Sequence, residues 1–196
     1  TEIPSVTRDL HRIGAKEDTG SNMAGTVAFM RLYHGVVLDG KQIATLYANR
    51  PLPQPDHEFD FRGCSTAAAQ IIDTYDASIS AAFVGGATCS VDGIELDGID
   101  DYVDVTPWEF GGELTIEIYF RGQNMADHCR IFNFGDDTSY EYDVVLKKNT
   151  GVQLASWVAG VGGANRYDSV RTAYMADGNA WNHVVLTYAA SGRKNF

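Results

Sequence analysis

Residues Gly93-Ile-Glu-Leu-Asp-Gly-Ile-Asp-Asp-Tyr-Val-Asp-Val105 alternate apolar and polar side chains, turn at Asp97-Gly98, and alternate again. Alternation with a period of two places successive side chains on opposite faces of an extended chain, and Asp-Gly supplies the backbone freedom of a tight reversal. The stretch therefore predicts a β-hairpin with one buried face. Leu114-Thr-Ile-Glu-Ile-Tyr-Phe120 follows the same rule, with Leu114, Ile116, Ile118 and Phe120 on one face and Thr115, Glu117 and Tyr119 on the other. Twenty glycines recur between short β-branched runs, the rhythm of an all-β sandwich with many turns. With 44% hydrophobic and 11% aromatic residues in 196, the chain can bury a core of one ordinary domain, or of one domain plus a fragment.

Together with Arg130-Ile-Phe-Asn-Phe-Gly135 and Trp181-Asn-His-Val-Val-Leu-Thr-Tyr188, these segments resemble the laminin-G-like family, also called concanavalin-A-like or LamG jelly rolls. The resemblance implies a two-sheet antiparallel jelly-roll sandwich used for glycan binding, adhesion and extracellular scaffolding. Fold alone does not assign one of these, because lectins, glycosidases and purely structural modules share it.

Pro51-Leu-Pro-Gln-Pro55 divides the chain, since three prolines in five residues suit neither a helix interior nor a central strand. Residues 56–196 carry the strands of a LamG-like module in family order, from Phe59–Phe61 through His183–Tyr188, without the last strands the family has. Residues 1–50 resemble those last strands: Arg8-Asp-Leu-His-Arg-Ile-Gly14, then Gly25-Thr-Val-Ala-Phe-Met-Arg-Leu-Tyr-His-Gly-Val-Val-Leu38, then a closing helix within Asp39–Arg50. Asp39 is the expected N-cap of that helix, and Ile43, Leu46 and Tyr47 form its apolar stripe. The first reading is thus the tail of one module, a linker at 51–55, and the head of a second, a window from a tandem array. A permuted single module and a tail that completes another molecule are the other two.

The formal charge of −11, from 26 acidic against 15 basic residues, repels nucleic-acid phosphates, and no Lys/Arg cluster reverses it locally. No nucleic-acid partner is expected. Nor is membrane insertion, because no apolar run approaches the roughly 18 residues of a spanning helix. Thr1 opens no signal-peptide pattern, as expected of a mature product or of a piece of something longer. Cys64, Cys89 and Cys129 could be three unrelated buried thiols. The resemblance implies otherwise for two of them: the regions around Cys64 and Cys89 lie side by side in such modules, and many members carry a Cys at both. A Cys64–Cys89 disulfide would in turn imply an extracellular or cell-surface setting, with Cys129 free or paired to another chain.

Carboxylates are the densest candidates for chemistry. Glu95 and Asp97 imitate the start of the Glu-x-Asp pattern of jelly-roll glycosidases, and Glu113 and Glu117 share the Leu114–Phe120 region. Retaining hydrolysis needs two carboxyls about 5–5.5 Å apart, and the turn at Asp97-Gly98 interrupts the pattern. Asp100, Asp101 and Asp104 form a second acidic group. Asp136, Asp137 and Asp143 form a third, the loop set expected to hold Ca2+ if the chain holds any, since calcium takes 6–8 oxygen ligands. His183 is expected as a half-buried strand residue, Trp157 and Trp181 as core, and Trp108, after Pro107, as a ligand contact. Gly160–Gly163 reads as a hairpin loop.

These features predict a non-enzymatic extracellular module for cell adhesion or for the structural assembly of a fibre or coat. Neighbouring LamG-like modules or protein subunits would be its partners. A calcium-dependent lectin that binds glycans is the alternative, and a jelly-roll glycoside hydrolase the remote one.

Overall fold

The computed structural model describes residues 3–16, 21–48, 53–65, 67–135, 143–151, 153–158, 170–174, 179–189 and 194–195. Ahead of the proline-rich segment lie β1 (Ile3–Thr7), β2 (Leu10–Ile13), β3 (Ala24–His34) and the helix α1 (Gly40–Tyr47). After it come β4 (His57–Asp60), β5 (Gln70–Ile72), β6 (Ser80–Val84), β7 (Thr88–Cys89), β8 (Ile94–Asp97), β9 (Tyr102–Val105) and β10 (Glu109–Gly112). The remainder are β11 (Leu114–Gly122), β12 (Arg130–Gly135), β13 (Val144–Lys148), β14 (Gln153–Val158), β15 (Val170–Tyr174), β16 (Trp181–Tyr188) and β17 (Lys194–Asn195).

Among the described residues the strands form two main antiparallel sheets, so the chain is an all-β sandwich. The seven-stranded sheet runs β17-β16-β11-β3-β8-β7 with β4 also on β3, and the eight-stranded sheet runs β15-β14-β13-β12-β2-β9-β6-β5. A separate two-stranded ribbon pairs β1 with β10. Two strands ahead of the proline-rich segment enter the two sheets as interior strands: β3 lies between β11 and the β8/β4 edge, and β2 between β12 and β9. Among the described residues, every strand pairing of β1, β2 and β3 is with a strand beyond Pro55. Of the three arrangements the sequence leaves open, this is the self-completing one. Of the linker, Pro51 and Leu52 lie outside the described residues, and Pro55 is buried.

The segment expected to be a hairpin is an arch instead. β8 pairs with β3 and β7, whereas β9 pairs with β2 and β6, so Asp97-Gly98 carries the chain from one sheet to the other. Ile94 and Leu96 then face Val103 and Val105 across the core, all buried. Alternation alone cannot separate the two cases, because it marks a buried face without saying which strand is the hydrogen-bonded neighbour. The arch is capped by its own carboxylates: Asp97 Oδ1 accepts from the amides of Ile99 (2.7 Å), Asp100 and Asp101 (both 3.4 Å), and Asp101 Oδ2 accepts from Asp97 N (3.0 Å).

The faces of β11 follow the sequence pattern. Leu114, Ile116, Ile118 and Phe120 point into the core with Met30, Leu32, Phe59, Phe132, Phe134 and Leu186. A bulge shifts the register between β3 and β11 so that Phe29 opposes Tyr119 while Val27 opposes Phe120, with Ala28 as the extra residue. The bulge lets Val27 and Met30 both point inward. It also marks a seam on the other edge of β3, where β8 covers residues 24–27 and β4 covers 29–32. Gly93 sits at this seam with φ +151°, and a Cβ there would stand 2.2 Å from Val27 O. Cys64 and Cys89 are joined in a disulfide across the same seam, with Cα atoms 5.6 Å apart.

Helix α1 forms where its capping residues predict. Asp39 Oδ1 accepts from Lys41 N (2.8 Å) and Gln42 N (2.9 Å), while Gln42 Oε1 accepts from Asp39 N (2.8 Å), a reciprocal capping box. Leu46 and Ile43 pack on Tyr33, Leu38 and Val185, so the helix covers one end of the outer face of the seven-stranded sheet.

Below the β1–β10 ribbon lies a histidine that the sequence does not flag. His11, on β2, is fully buried among Trp108 (ring centroids 4.2 Å), Phe134 (4.8 Å) and Phe110 (5.6 Å). Neither of its ring nitrogens meets a hydrogen-bond partner among the described residues. Burial, with the charges of Arg8 and His57 adding to it, pulls its pKa down to about 3. His57 is held by Asp73 (Nδ1 to Oδ2, 2.9 Å), and its ring meets Trp108 at 4.4 Å, tilted by 44°. Trp108 is therefore packed by its own chain on this side.

Two outcomes follow from these contacts. Peptide mapping without reductant should recover Cys64 and Cys89 in one linked fragment, and reduction should lower stability by about 3.5 kcal/mol, the loop-closure value for a span of 25 residues. Recovery of both as free thiols would refute the pairing. His11 stays neutral in the fold while the unfolded chain takes up a proton near pH 6.5. Its contribution is thus intact above pH 6.5 and lost as pH falls toward about 3, with a slope of about 1.4 kcal/mol per pH unit. Denaturant midpoints of the wild type and His11→Phe should converge in relative terms above pH 7 and diverge below 6; parallel curves would exclude this role.

Candidate functional site

The chemistry-bearing side chains collect on the outer face of the seven-stranded sheet, beyond the patch that α1 covers. The parity that sends Ile116 and Ile118 inward sends Glu117, Tyr119 and Arg121 outward, and the same rule brings Phe29, Arg31 and Tyr33 from β3 and Trp181 and His183 from β16. Glu58 and Asp60 of β4 and Glu95 of β8 complete the face.

Glu117 is its centre, at 1% side-chain exposure. Its Oε1 lies 2.7 Å from His183 Nε2, and its Oε2 accepts from Tyr33 OH (3.3 Å) and Arg31 Nη1 (3.4 Å). A carboxylate without such partners would pay several kcal/mol for leaving water. Arg31 also donates from Nε to Glu58 Oε1 at 2.5 Å. Burial pulls the Arg31 pKa down, but the bond to Glu58 and the charge of Glu117 more than offset it, and the guanidinium is held protonated. Burial, then the Glu117 charge, pushes the Tyr33 phenol well above its ordinary range, so it stays a donor.

Toward the far end of the face, rings and guanidinium groups alternate. Tyr119 and Trp181 stack at 4.7 Å with planes 20° apart, and the Arg121 guanidinium sits 5.1 Å from the Trp181 ring. Phe29 has Arg31 at 4.5 Å and Arg62 at 5.1 Å. Each arginine has its counter-charge: Arg62 bonds Asp60 at 2.6 Å, and Arg121 lies 3.7 Å from Asp92 and 3.8 Å from Glu95. Trp181, expected in the core, is a half-buried member of this ladder, because it shares the parity of His183 rather than that of Val184 and Leu186. His183 is half-buried on its strand as expected, with the added bond to Glu117.

The carboxylates that imitate a glycosidase have structural partners. Glu95 accepts from Thr26 Oγ1 (2.8 Å) and Ser90 Oγ (2.9 Å), and Asp97 caps the arch. Glu117 and Glu58 share Arg31, which lies 2.5 Å from Glu58 and 3.4 Å from Glu117.

The acidic residues nearest one another are Asp97, Asp100 and Asp101, whose carboxylate oxygens lie within 4.8 Å of one another and could hold a metal ion. Asp97 and Asp100 are exposed and Asp101 is buried. Burial, with the charges of Asp97 and Asp100, pushes the Asp101 pKa up, which a cation would reverse. The donor set is all oxygen, the chemistry calcium takes. Asp97 also lines a cavity of about 360 Å3 with Asn22, Gln123 and Asn124. The acidic loop expected to be the metal site is placed less fully: Asp136 and Asp137 lie outside the described residues. Asp143 is buried against Gly135, with its charge felt by Arg8. Trp157's side chain and the Gly160–Gly163 loop also lie outside the described set. Asp104 is 3.9 Å from Arg12, away from the triad.

Addition of calcium should raise the melting temperature by mass action, since only the folded arch presents the three carboxylates together. Asp100→Asn removes a ligand without touching the Asp97 cap, so its calcium response should shrink. Identical melting curves with calcium and with chelator would remove the triad as a metal site.

No protein-family model, no curated protein and no solved structure matches the chain.

Proposed function

We propose that this chain is a non-enzymatic extracellular module of laminin-G-like type, serving adhesion or the structural assembly of a fibre or coat. The observation that carries the reading is the closure of the outer face upon itself. Glu117 is bonded by His183, Tyr33 and Arg31, and the faces of Phe29, Tyr119 and Trp181 are taken up by other rings and guanidinium groups. A hydrolase needs a carboxylate free to give or accept a proton at a bound substrate. A sugar platform needs a free ring face. Neither need is met at the centre of this face, whereas a rigid, charge-paired surface suits a module that holds its shape under contact. The disulfide supports a secreted setting.

A second reading, a calcium-dependent glycan-binding module, is favoured by one feature: the polar cavity lined by Asn22, Gln123 and Asn124 adjoins the acidic triad through Asp97. A cation there would share its coordination with sugar hydroxyls entering the cavity.

Beads coated with the chain should cluster, or bind a surface bearing the same module, more than beads coated with an inert protein. A glycan array probed with and without calcium separates the readings: a calcium-dependent sugar signal lost in Asp100→Asn, with no clustering, would replace adhesion by lectin activity. Release of reducing sugar by the wild type and not by Glu117→Gln would overturn both. The expected effect of Glu117→Gln is a loss of about 1–3 kcal/mol in stability, from weakened bonds to Arg31 and His183.

A further inference from the structure

We infer that residues 3–48 are an exchangeable plug, and that a second copy of this chain can supply the plug to residues 55–196. The inference rests on how the strands pair and not on the adhesion reading. β1 pairs with β10, β2 with β9 and β12, and β3 with β4, β8 and β11. Without the plug, the seven-stranded sheet would fall into a β17-β16-β11 piece, a β8-β7 piece and a lone β4. The eight-stranded sheet would split between β12 and β9. The plug likewise has no internal strand pairing among its described residues, so β3 alone would expose eleven residues of unpaired backbone. Each piece therefore presents open edges that only the other fits.

Residues 1–50 hold no cysteine, so no disulfide ties the plug in place: the one bridge joins Cys64 to Cys89, both in the second piece, and the plug's covalent link is the backbone through Pro51–Pro55. A proline-rich hinge favours extended backbone and reaches toward a neighbour without a large entropy loss. Contacts made within one chain and contacts made between two copies are the same contacts, which is the condition for domain swapping. Reciprocal exchange closes a dimer. Exchange in one direction leaves an open edge at each end and extends into a chain of copies. The intramolecular arrangement wins when the local concentration of the tethered plug exceeds that of other copies. Because β3 is an interior strand, the choice is made during folding and is held afterwards.

The test uses the full chain and the β1–β10 register, which sets Thr7 opposite Glu109. Thr7→Cys and Glu109→Cys are made as two separate variants, unfolded, mixed, and refolded together under oxidising conditions over a dilution series. A disulfide between positions 7 and 109 can then form only between two different chains, and peptide mapping distinguishes it from any bridge to Cys64, Cys89 or Cys129. The expected result is a 7–109 cross-link whose share rises with protein concentration during refolding and is nearly absent when the variants are refolded singly and mixed afterwards. The double variant, refolded dilute, should form the same bridge within one chain. An intrachain bridge in the double variant with no interchain bridge from the mixture at any concentration would overturn the inference. Failure of the double variant to form the bridge would overturn the pairing on which it stands.

Discussion

The backbone pairing of β3 is the constraint on which the rest depends. Its hydrogen bonds run to β11 along one edge and to β8 and β4, end to end, along the other. That single strand joins the two halves of the seven-stranded sheet, sets the bulge at Ala28, and so decides which residues of the neighbouring strands face the core. The seam on its far edge is where Gly93 permits close backbone approach and where the disulfide fastens β7 beside the loop after β4. Removing β3 would cost more than its own burial, because its neighbours would be left with unpaired edges.

The outer face of this sheet repeats the lesson in side chains. Glu117 is too buried to be tolerated without donors, and its three donors come from three positions in two neighbouring strands. Arg31 in turn fixes Glu58, and the rings between the guanidinium groups fix the rotamers of Arg31, Arg62 and Arg121. The result is a rigid surface whose polar groups answer each other. The arch at Asp97–Asp101 differs from it. There three carboxylates gather within 4.8 Å of one another, and burial of Asp101 opposes its ionisation.

Much of the fold was legible. The parity of Leu114–Phe120, the N-cap at Asp39 and the apolar positions Ile43 and Leu46 all stand where local rules put them, because each depends on residues a few positions apart. The arch did not read correctly, since a strand's apolar face is local information and its hydrogen-bonding neighbour is not. Trp181 was misassigned for a related reason: a bulky aromatic in a strand pattern looks like core until its parity is fixed by Val184 and Leu186. His11 was missed because nothing in Leu10-His-Arg-Ile13 distinguishes a buried imidazole from a solvated one. In the sequence Glu117 stands only as one of two carboxylates in the Leu114–Phe120 region; Arg31 and Tyr33 carry a signal, their alternation within Gly25–Leu38, that becomes meaningful only once β3 and β11 are neighbours.

The sequence by itself determined the all-β class, the inward face of Leu114–Phe120, the cap at Asp39 and the net charge of −11. These follow from side-chain period and charge, which are properties of the chain before it folds. Tertiary structure alone decided that β2 and β3 pair with strands beyond Pro55, that Asp97-Gly98 crosses between sheets, and that Asp97, Asp100 and Asp101 converge. Strand partners lie more than a hundred residues apart, as Thr7 and Glu109 or Leu10 and Gly135 do. Pairing over that span is chosen by the closure of backbone edges and the filling of one core, and no local pattern records it.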